Sequence, residues 1–261
     1  MICLKSCLKD IQKLIPPQYL NFLQNIHSTL LSKWILKHRS LALTVSQKPV
    51  MVFSPHQDDE TLGCGGMIAQ KRQLGIPVTV VFLTDGQGGI SLEPDKNKVI
   101  QIRKQESLSA LEILGVNASD IYFLDQLDGG LGNLEYQKKQ QIINQIAELI
   151  RLYEPGEIYV PHYKDCHRDH EATFKLVKLA IAQTQLNIEL LQYPIWLFWR
   201  SPLFILLKLS DITPAYRLCI TSVQDKKQQA IAAYSSQIQN LPSGFLQRFL
   251  NLDEIFFKTQ L

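Results

Sequence analysis

From residue 49 onward, short apolar runs alternate with longer amphipathic stretches, and each run ends in glycine or polar residues. Residues 50–53, 78–83, 121–124 and 158–161 are almost wholly apolar, the pattern of strands covered on both faces. Between them, residues 61–74, residues 99–114 and the stretch carrying Ile142, Ile146, Leu149, Ile150 and Tyr153 place apolar side chains three and four apart, as helices do. Gly75 and Gly115 stand where helices end in left-handed backbone. The helix over 99–114 is expected to turn Val99, Ile102, Ala110 and Ile113 inward, leaving Arg103 and Glu106 one turn apart as a surface pair. Strand–helix–strand repetition implies right-handed parallel crossovers, hence an α/β domain with a mostly parallel sheet. Residues 173–182 and 226–235 predict further helices, and residues 188–193 and 216–222 further strands.

The first 46 residues follow another pattern. Leu20, Phe22, Leu23, Ile26, Leu30 and Leu31 lie at near-helical spacing after Pro16 and Pro17, and Lys33, Lys37, His38 and Arg39 follow. Residues 1–46 therefore read as a helical extension, and residues 47–261 as the main domain. The extension either packs on that domain or meets a membrane surface or partner. Residues 195–207 are also strongly apolar, but Arg200 and Pro202 interrupt them and they fall short of the roughly 20 residues that span a bilayer. They predict a buried or lid-forming segment; the alternative is a surface touching lipid or a lipid-linked substrate, with Trp196 and Trp199 as interfacial anchors.

A chain of 261 residues with 46% hydrophobic and 20% charged residues can bury one large core. The net charge of +3 is spread along the chain, without a basic stripe interleaved with aromatics, so nucleic acid is not an expected partner. Five cysteines without Cys-X-X-Cys spacing argue against a disulfide framework and for a reducing compartment. Lys5, Lys9 and Asp10 interrupt the N-terminal apolar residues where a signal peptide would be continuous, and the expected location is the cytoplasm, with membrane association as the variant.

Two stretches carry candidate chemistry: Ser54-Pro55-His56-Gln57-Asp58-Asp59-Glu60 and His167-Arg168-Asp169-His170. Each follows an apolar run, and in an open α/β sheet segments leaving the carboxyl ends of strands can meet in one crevice. His56, Asp59 and His170 offer nitrogen and carboxylate donors for a divalent metal while leaving room for water. Read singly, either stretch could be a solvated turn or an acidic helix start. Gly63, Gly65 and Gly66 would let the helix after the first motif approach the sheet closely, and the Thr84–Gly89 loop would wall a pocket. Cys166 could ligate a soft metal, although adjacent residues point apart; His162 is a polar surface residue or reaches the site; Asp165 lines the pocket.

At these residues the sequence resembles the LmbE/PIG-L-like family of metal-dependent N-deacetylases. The signature Pro-His-X-Asp-Asp-Glu stands as residues 55–60 and His-X-Asp-His as residues 167–170. Weaker agreements run in the same order: Thr84-Asp85-Gly86, Arg103 with Glu106, Leu114-Gly115-Val116, Asp128 to Leu131, Tyr193-Pro194 with Trp196, and Tyr234 with Ser236-Gln237. The resemblance implies a Rossmann-like three-layer α/β/α fold and removal of an acetyl group from an N-acetylated amino sugar or glycoconjugate, commonly one bearing GlcNAc. The implied cofactor is Zn2+, with another divalent metal such as Fe2+ as the variant. Carried over, His56, Asp59 and His170 are the metal ligands, Asp58 the general base, His167 the oxyanion stabiliser or acid, and Asp169 the group orienting His167. Arg103 and Asp128 fall where the family contacts the sugar. Chemistry agrees with this division: one of two adjacent carboxylates can bind metal while the other faces water. A protonated His167 would contribute on the order of 3 kcal/mol where negative charge develops. The alternatives are hydrolysis of a non-sugar amide or ester, and a non-catalytic glycan-binding protein of the same fold.

Overall fold

The computed structural model describes residues 16–90, 93–200, 207–242 and 244–259. Residues 1–15 of the expected extension and residues 201–206 of the apolar segment lie outside that description. The elements in order are α1 (Pro17–His38), β1 (Ser40–Ala42), β2 (Val50–Ser54), α2 (Asp59–Gln73), β3 (Val78–Thr84), α3 (Lys96–Leu114), β4 (Ile121–Gln126), α4 (Tyr136–Tyr153), β5 (Glu157–Pro161), α5 (Arg168–Thr184), β6 (Glu189–Tyr193), α6 (Leu197–Arg200), β7 (Ala215–Cys219), α7 (Gln224–Ala233), α8 (Ser235–Ile238) and β8 (Asp253–Thr259).

One eight-stranded sheet runs β1-β7-β8-β6-β5-β2-β3-β4. Its pairs are parallel except β6 with β8 and β7 with β8. This is the expected α/β class, Rossmann-like with a mostly parallel sheet. Successive side chains of each central strand serve opposite faces, as the pleat demands. Val50, Val52, Val80, Phe82 and Tyr159 enter one buried cluster, beneath α2, α3 and α7, while Met51, Phe53, Val81, Ile158 and Val160 enter the other, beneath α4 and α5. Both faces are covered, so the strands read as apolar runs and not as alternation.

The sheet order places the site. From β2 the chain winds outward through β3 and β4, then returns to lay β5 on the other side of β2 and winds the opposite way to β6. The reversal lies between β2 and β5, whose carboxyl ends deliver the two motifs to one crevice. β8, unpredicted from sequence, inserts antiparallel between β6 and β7 and brings Glu254 under α2, where it accepts from the Gly66 and Met67 backbone N–H groups at 2.7 and 2.8 Å and pairs with Lys227 at 2.7 Å.

The glycine run in α2 serves close packing. A Cβ at Gly63 would lie 2.3 Å from the Tyr193 ring, and one at Gly66 2.4 Å from Ile220. Gly63→Ala should therefore destabilise the protein by up to about 2 kcal/mol, since overpacking against the buried Tyr193 ring, up to about 3 kcal/mol, outweighs the roughly 1 kcal/mol of helix propensity gained. Thermal unfolding checks this; an unchanged or raised midpoint contradicts it.

Candidate active site

The turn after β2 holds an uncommon backbone conformation. Asp58 has φ +146°, a region that costs a non-glycine residue on the order of 1–3 kcal/mol and persists only where its surroundings impose it. Thr84 fixes the entry, its hydroxyl and N–H donating to Pro55 O at 2.6 and 3.1 Å. Gln57 is buried and its side-chain amide donates to Thr84 O at 2.8 Å, while its backbone carbonyl accepts from Arg103. The Asp58 N–H donates to Glu60 at 3.1 Å. Glu60 is buried, its carboxyl pushed upward by burial, and accepts from Thr61 and Tyr234. The turn is thus clamped from β3, α2, α3 and the Tyr234 corner.

That clamp sets the metal-type donors. His56 Nδ1 lies 3.1 Å from Asp59 Oδ2, His170 Nε2 lies 3.2 Å from the same oxygen, and the two nitrogens are 3.3 Å apart. Tetrahedral ligation at 2.0–2.1 Å separates ligand atoms by about 3.3 Å, so this triangle has the size of one face of such a shell. The remaining nitrogens are committed elsewhere. His170 Nδ1–H donates to Asp165 at 2.7 Å, and His56 Nε2 faces Asp128 and Asp169 at 3.2 and 3.3 Å. Each imidazole therefore carries a carboxylate on its far side, which fixes the tautomer presenting a lone pair to the triangle. Two overlapping sets, His56 with His167 and His170 and His56 with Asp128 and Asp169, also bring three donors within 4.8 Å.

The electrostatics favour positive charge here. Burial disfavours the His170 imidazolium, but Asp59 and Asp165 outweigh it and raise its pKa to about 9. Burial likewise opposes charge on His56, and Asp128, Asp169 and Asp59 raise it well above its ordinary value. Asp59 is held far below the carboxylate range, the two imidazoles outweighing its burial. Beside it, Asp58 is pushed up to about 7, because burial and Asp59 outweigh Arg103.

Three site expectations take a different form. The Asp169 carboxylate does not orient His167: it accepts from the Gly129 and Leu131 N–H groups at 2.7 and 3.1 Å and faces His56. His167 Nδ1 instead caps α5, accepting from the Asp169 N–H at 3.3 Å, which leaves the proton on Nε2. Burial and the neighbouring His170 and His56 lower its pKa to about 4, so it faces the pocket as a neutral imidazole and not as imidazolium. Arg103 and Glu106 are no surface pair, for both are buried on the inner stripe of α3 with Val99, Ser107 and Ala110. Arg103 lies 3.3 Å from Asp58, and Glu106 accepts from Ser235 and Ser236, fixing the segment that carries Gln237. Asp128 accepts from the Gly88 N–H at 3.0 Å, tying the glycine loop to the site, and the His56 imidazole lowers its carboxyl to about 2 against its burial.

His56, Asp58, Asp59, Arg103, Asp128 and His167 all line a pocket of about 300 Å3, together with the apolar Leu62, Ile195, Trp196, Leu241 and Phe245 and the amide of Gln237. The Trp196 and Phe245 rings pack 4.3 Å apart, and Trp199 lies buried beneath them, 5.5 Å from Phe245. Trp199 is core and therefore no interfacial anchor, while Trp196 forms pocket wall. Phe245 and Leu241 were not found from sequence, because nothing local to them marks a site about 180 residues downstream in the chain from the first motif. His162 is buried away from the pocket, its Nε2 2.9 Å from Asp211 O, and Cys166 is exposed outside the donor triangle.

Asp165, expected to line the pocket, lies behind its wall instead. It is fully buried, and besides holding His170 it accepts from the Ile195, Trp196 and Leu197 N–H groups, all at 2.9 Å. One carboxylate thus sets both a metal-type ligand and the apolar wall. Asp165→Asn should weaken divalent-metal affinity about 10–100-fold, as loss of a ligand's hydrogen-bond partner does. Metal-buffered competition titration reads this; unchanged affinity would show that His170 needs no orientation.

Comparisons with known proteins place the chain in a family. Residues 51–181 match the family described as PIG-L: GlcNAc-PI de-N-acetylase. The chain is 30% identical over 152 residues to the uncharacterized deacetylase YaiS of Escherichia coli, covering 56% of this chain and 75% of that protein. It is 30% identical over 138 residues to a probable N-acetyl-alpha-D-glucosaminyl L-malate deacetylase 2 of Bacillus subtilis, covering 51% of this chain and 60% of the relative, under two thirds of its length. Among solved structures, the N,N'-diacetylchitobiose deacetylase of Pyrococcus horikoshii shares the fold at TM-score 0.64 and 21% identity, over 89% of this chain and 92% of that one. With both motifs inside the matched half and meeting where the sheet reverses, the chain belongs to the PIG-L family.

Proposed function

We propose that the protein is a divalent-metal-dependent deacetylase that hydrolyses the N-acetyl group of an amino sugar or its glycoside. The observation that carries this reading is the triangle of His56, Asp59 and His170 donors, 3.1–3.3 Å on a side, with the ionisable Asp58 next to it. When bound there, Zn2+ or a similar cation such as Fe2+ supplies a lowered water pKa and a polarised acetamide oxygen. Asp58 takes the proton of the attacking water as the new C–O bond forms, and returns it to the nitrogen as the C–N bond breaks, giving acetate and the free amine. His167 donates its Nε2–H to the oxygen on which negative charge develops. Asp169 and Asp165 hold His56 and His170; Arg103 holds Asp58 and, with Asp128, faces the sugar.

The sugar reading is supported by the names of the relatives, which specify N-acetylglucosaminyl and chitobiose substrates. It is also supported by the pocket lining, which combines charged and amide groups with Trp196, Phe245 and aliphatic side chains, a mixture that suits a pyranose with its hydroxyls and apolar C–H surface. Among the described lining residues Arg103 is the only Lys or Arg, and it already engages Asp58 and Gln57, so the pocket favours neutral over phosphorylated aglycones. A cytoplasmic setting fits thiols such as the buried Cys64. The deciding experiment incubates the zinc-loaded protein with a panel of GlcNAc glycosides, nucleotide sugars and simple acetylated amines. A mass loss of one acetyl confined to the neutral glycosides is the expected result, and turnover of acetylated amines alone would overturn the sugar reading.

A further inference from the structure

α1 is apolar on two opposite faces. Leu31 and Ile35 on one face are buried with Leu197, Phe198, Ile212 and Phe257. Tyr19, Phe22, Leu23, Ile26 and Leu30 on the other are each 41–64% exposed. At about 100° per residue these five fall within an arc of about 100°, and Lys33 and Lys37 continue the same arc. The helix carries no acidic residue, and Arg39 follows its last turn.

We propose that this face of α1 seats the protein on an anionic lipid surface. The five side chains expose on the order of 500 Å2, short of the roughly 800 Å2 per partner that a stable protein dimer buries, yet suited to a helix lying in the headgroup region. The unopposed lysines at one end match anionic headgroups, where each contributes attraction. No described helix is long and apolar enough to cross a membrane. The opposite side of α1 is braced against the pocket wall: Ser28 accepts from Arg248 at 3.3 Å, and a Cβ at Gly244 would lie 2.6 Å from the Asn25 amide, fixing the turn that carries Phe245. The helix that carries the docked face therefore also touches the segment that carries Phe245 of the pocket.

Co-sedimentation of the full-length protein with phosphatidylcholine vesicles, with and without phosphatidylglycerol, tests this. The protein binds the anionic vesicles more strongly. Phe22→Ser with Leu30→Ser weakens partitioning at least about tenfold on both compositions. Lys33→Gln with Lys37→Gln weakens it about tenfold or more on the anionic vesicles alone. Circular dichroism, and turnover of a soluble acetylated sugar where the wild type shows any, stay at wild-type level in both variants, so loss of lipid binding is separable from misfolding and from failure of the deacetylase reading. Absence of vesicle binding overturns the proposal, as does binding that survives both pairs of substitutions, or a wild-type dimer that Phe22→Ser with Leu30→Ser disperses.

Discussion

Asp58→Asn lowers kcat about 10²–10⁴-fold while leaving metal content unchanged, the loss expected when a general base is removed from otherwise intact geometry. The amide keeps the shape of the side chain, and the backbone at Asp58 is held by Glu60, Arg103 and Thr84 contacts that do not need the charge. What disappears is the proton acceptor beside the donor triangle. The wild-type pH profile carries the same signature. A base works ionised, so turnover rises as pH passes upward through the Asp58 pKa. Burial places that value at about 7, and a bound cation draws it down, so the limb lies at or below about 7. Arg103→Gln removes a neighbouring positive charge that favours ionisation and should move the limb to higher pH. Full turnover by Asp58→Asn, or a limb that moves downward in Arg103→Gln, would assign the base elsewhere.

Removing divalent metal should abolish deacetylation, and restoring zinc should recover it. The reason is visible in what faces what. With His170 Nδ1–H donated to Asp165, the Nε2 lone pair points at the Asp59 carboxylate and at His56 Nδ1, an arrangement tolerable only when protons or a cation lie among them. At neutral pH without metal the raised pKa values of His56 and His170 supply protons; metal binding displaces them. Two readouts independent of turnover follow. Adding zinc to chelator-treated protein releases protons into weakly buffered solution. It also raises thermal stability, by about 2.7 kcal/mol when free metal is 100 times its dissociation constant. His170→Ala should lose both effects. A chelated protein with full activity, or zinc that neither releases protons nor stabilises, would rule the triangle out as the metal site.

Much of this protein is legible along the chain because its central strands are buried on both faces. A parallel strand so covered is an apolar run whatever its partners, so β2, β3, β5 and β6 stand out from local pattern alone, while β4, half-buried at the sheet edge, is marked by its Ile-Tyr-Phe-Leu run. The two motifs stand out for a related reason: they sit on the carboxyl ends of β2 and β5, where the fold permits polar clusters. Two strands were harder. β1, at one edge of the sheet, has only three residues, and β8 inserts antiparallel between two strands that both precede it in the chain, so neither carries a periodic signal of its own.

Side-chain partnerships resisted sequence reading more than elements did. Arg103 and Glu106 at one-turn spacing look like a solvated pair, yet α3 turns them inward because Asp58, Gln57 and the Ser235–Ser236 backbone offer partners no neighbour in sequence reveals. Asp169 looked like the support of His167, its neighbour, and instead supports His56, more than a hundred positions away. The sequence by itself determined the α/β class, the residue types of the site and the strand ends that carry them, since those follow from periodicity and from motif chemistry. Only the tertiary structure decided which carboxylate holds which imidazole, that burial and its neighbours hold the His167 pKa down, and that Trp196 and Phe245 line the pocket. Those are distances across strands and helices, and burial sets both the hydrogen bonds and the charges once the chain is packed.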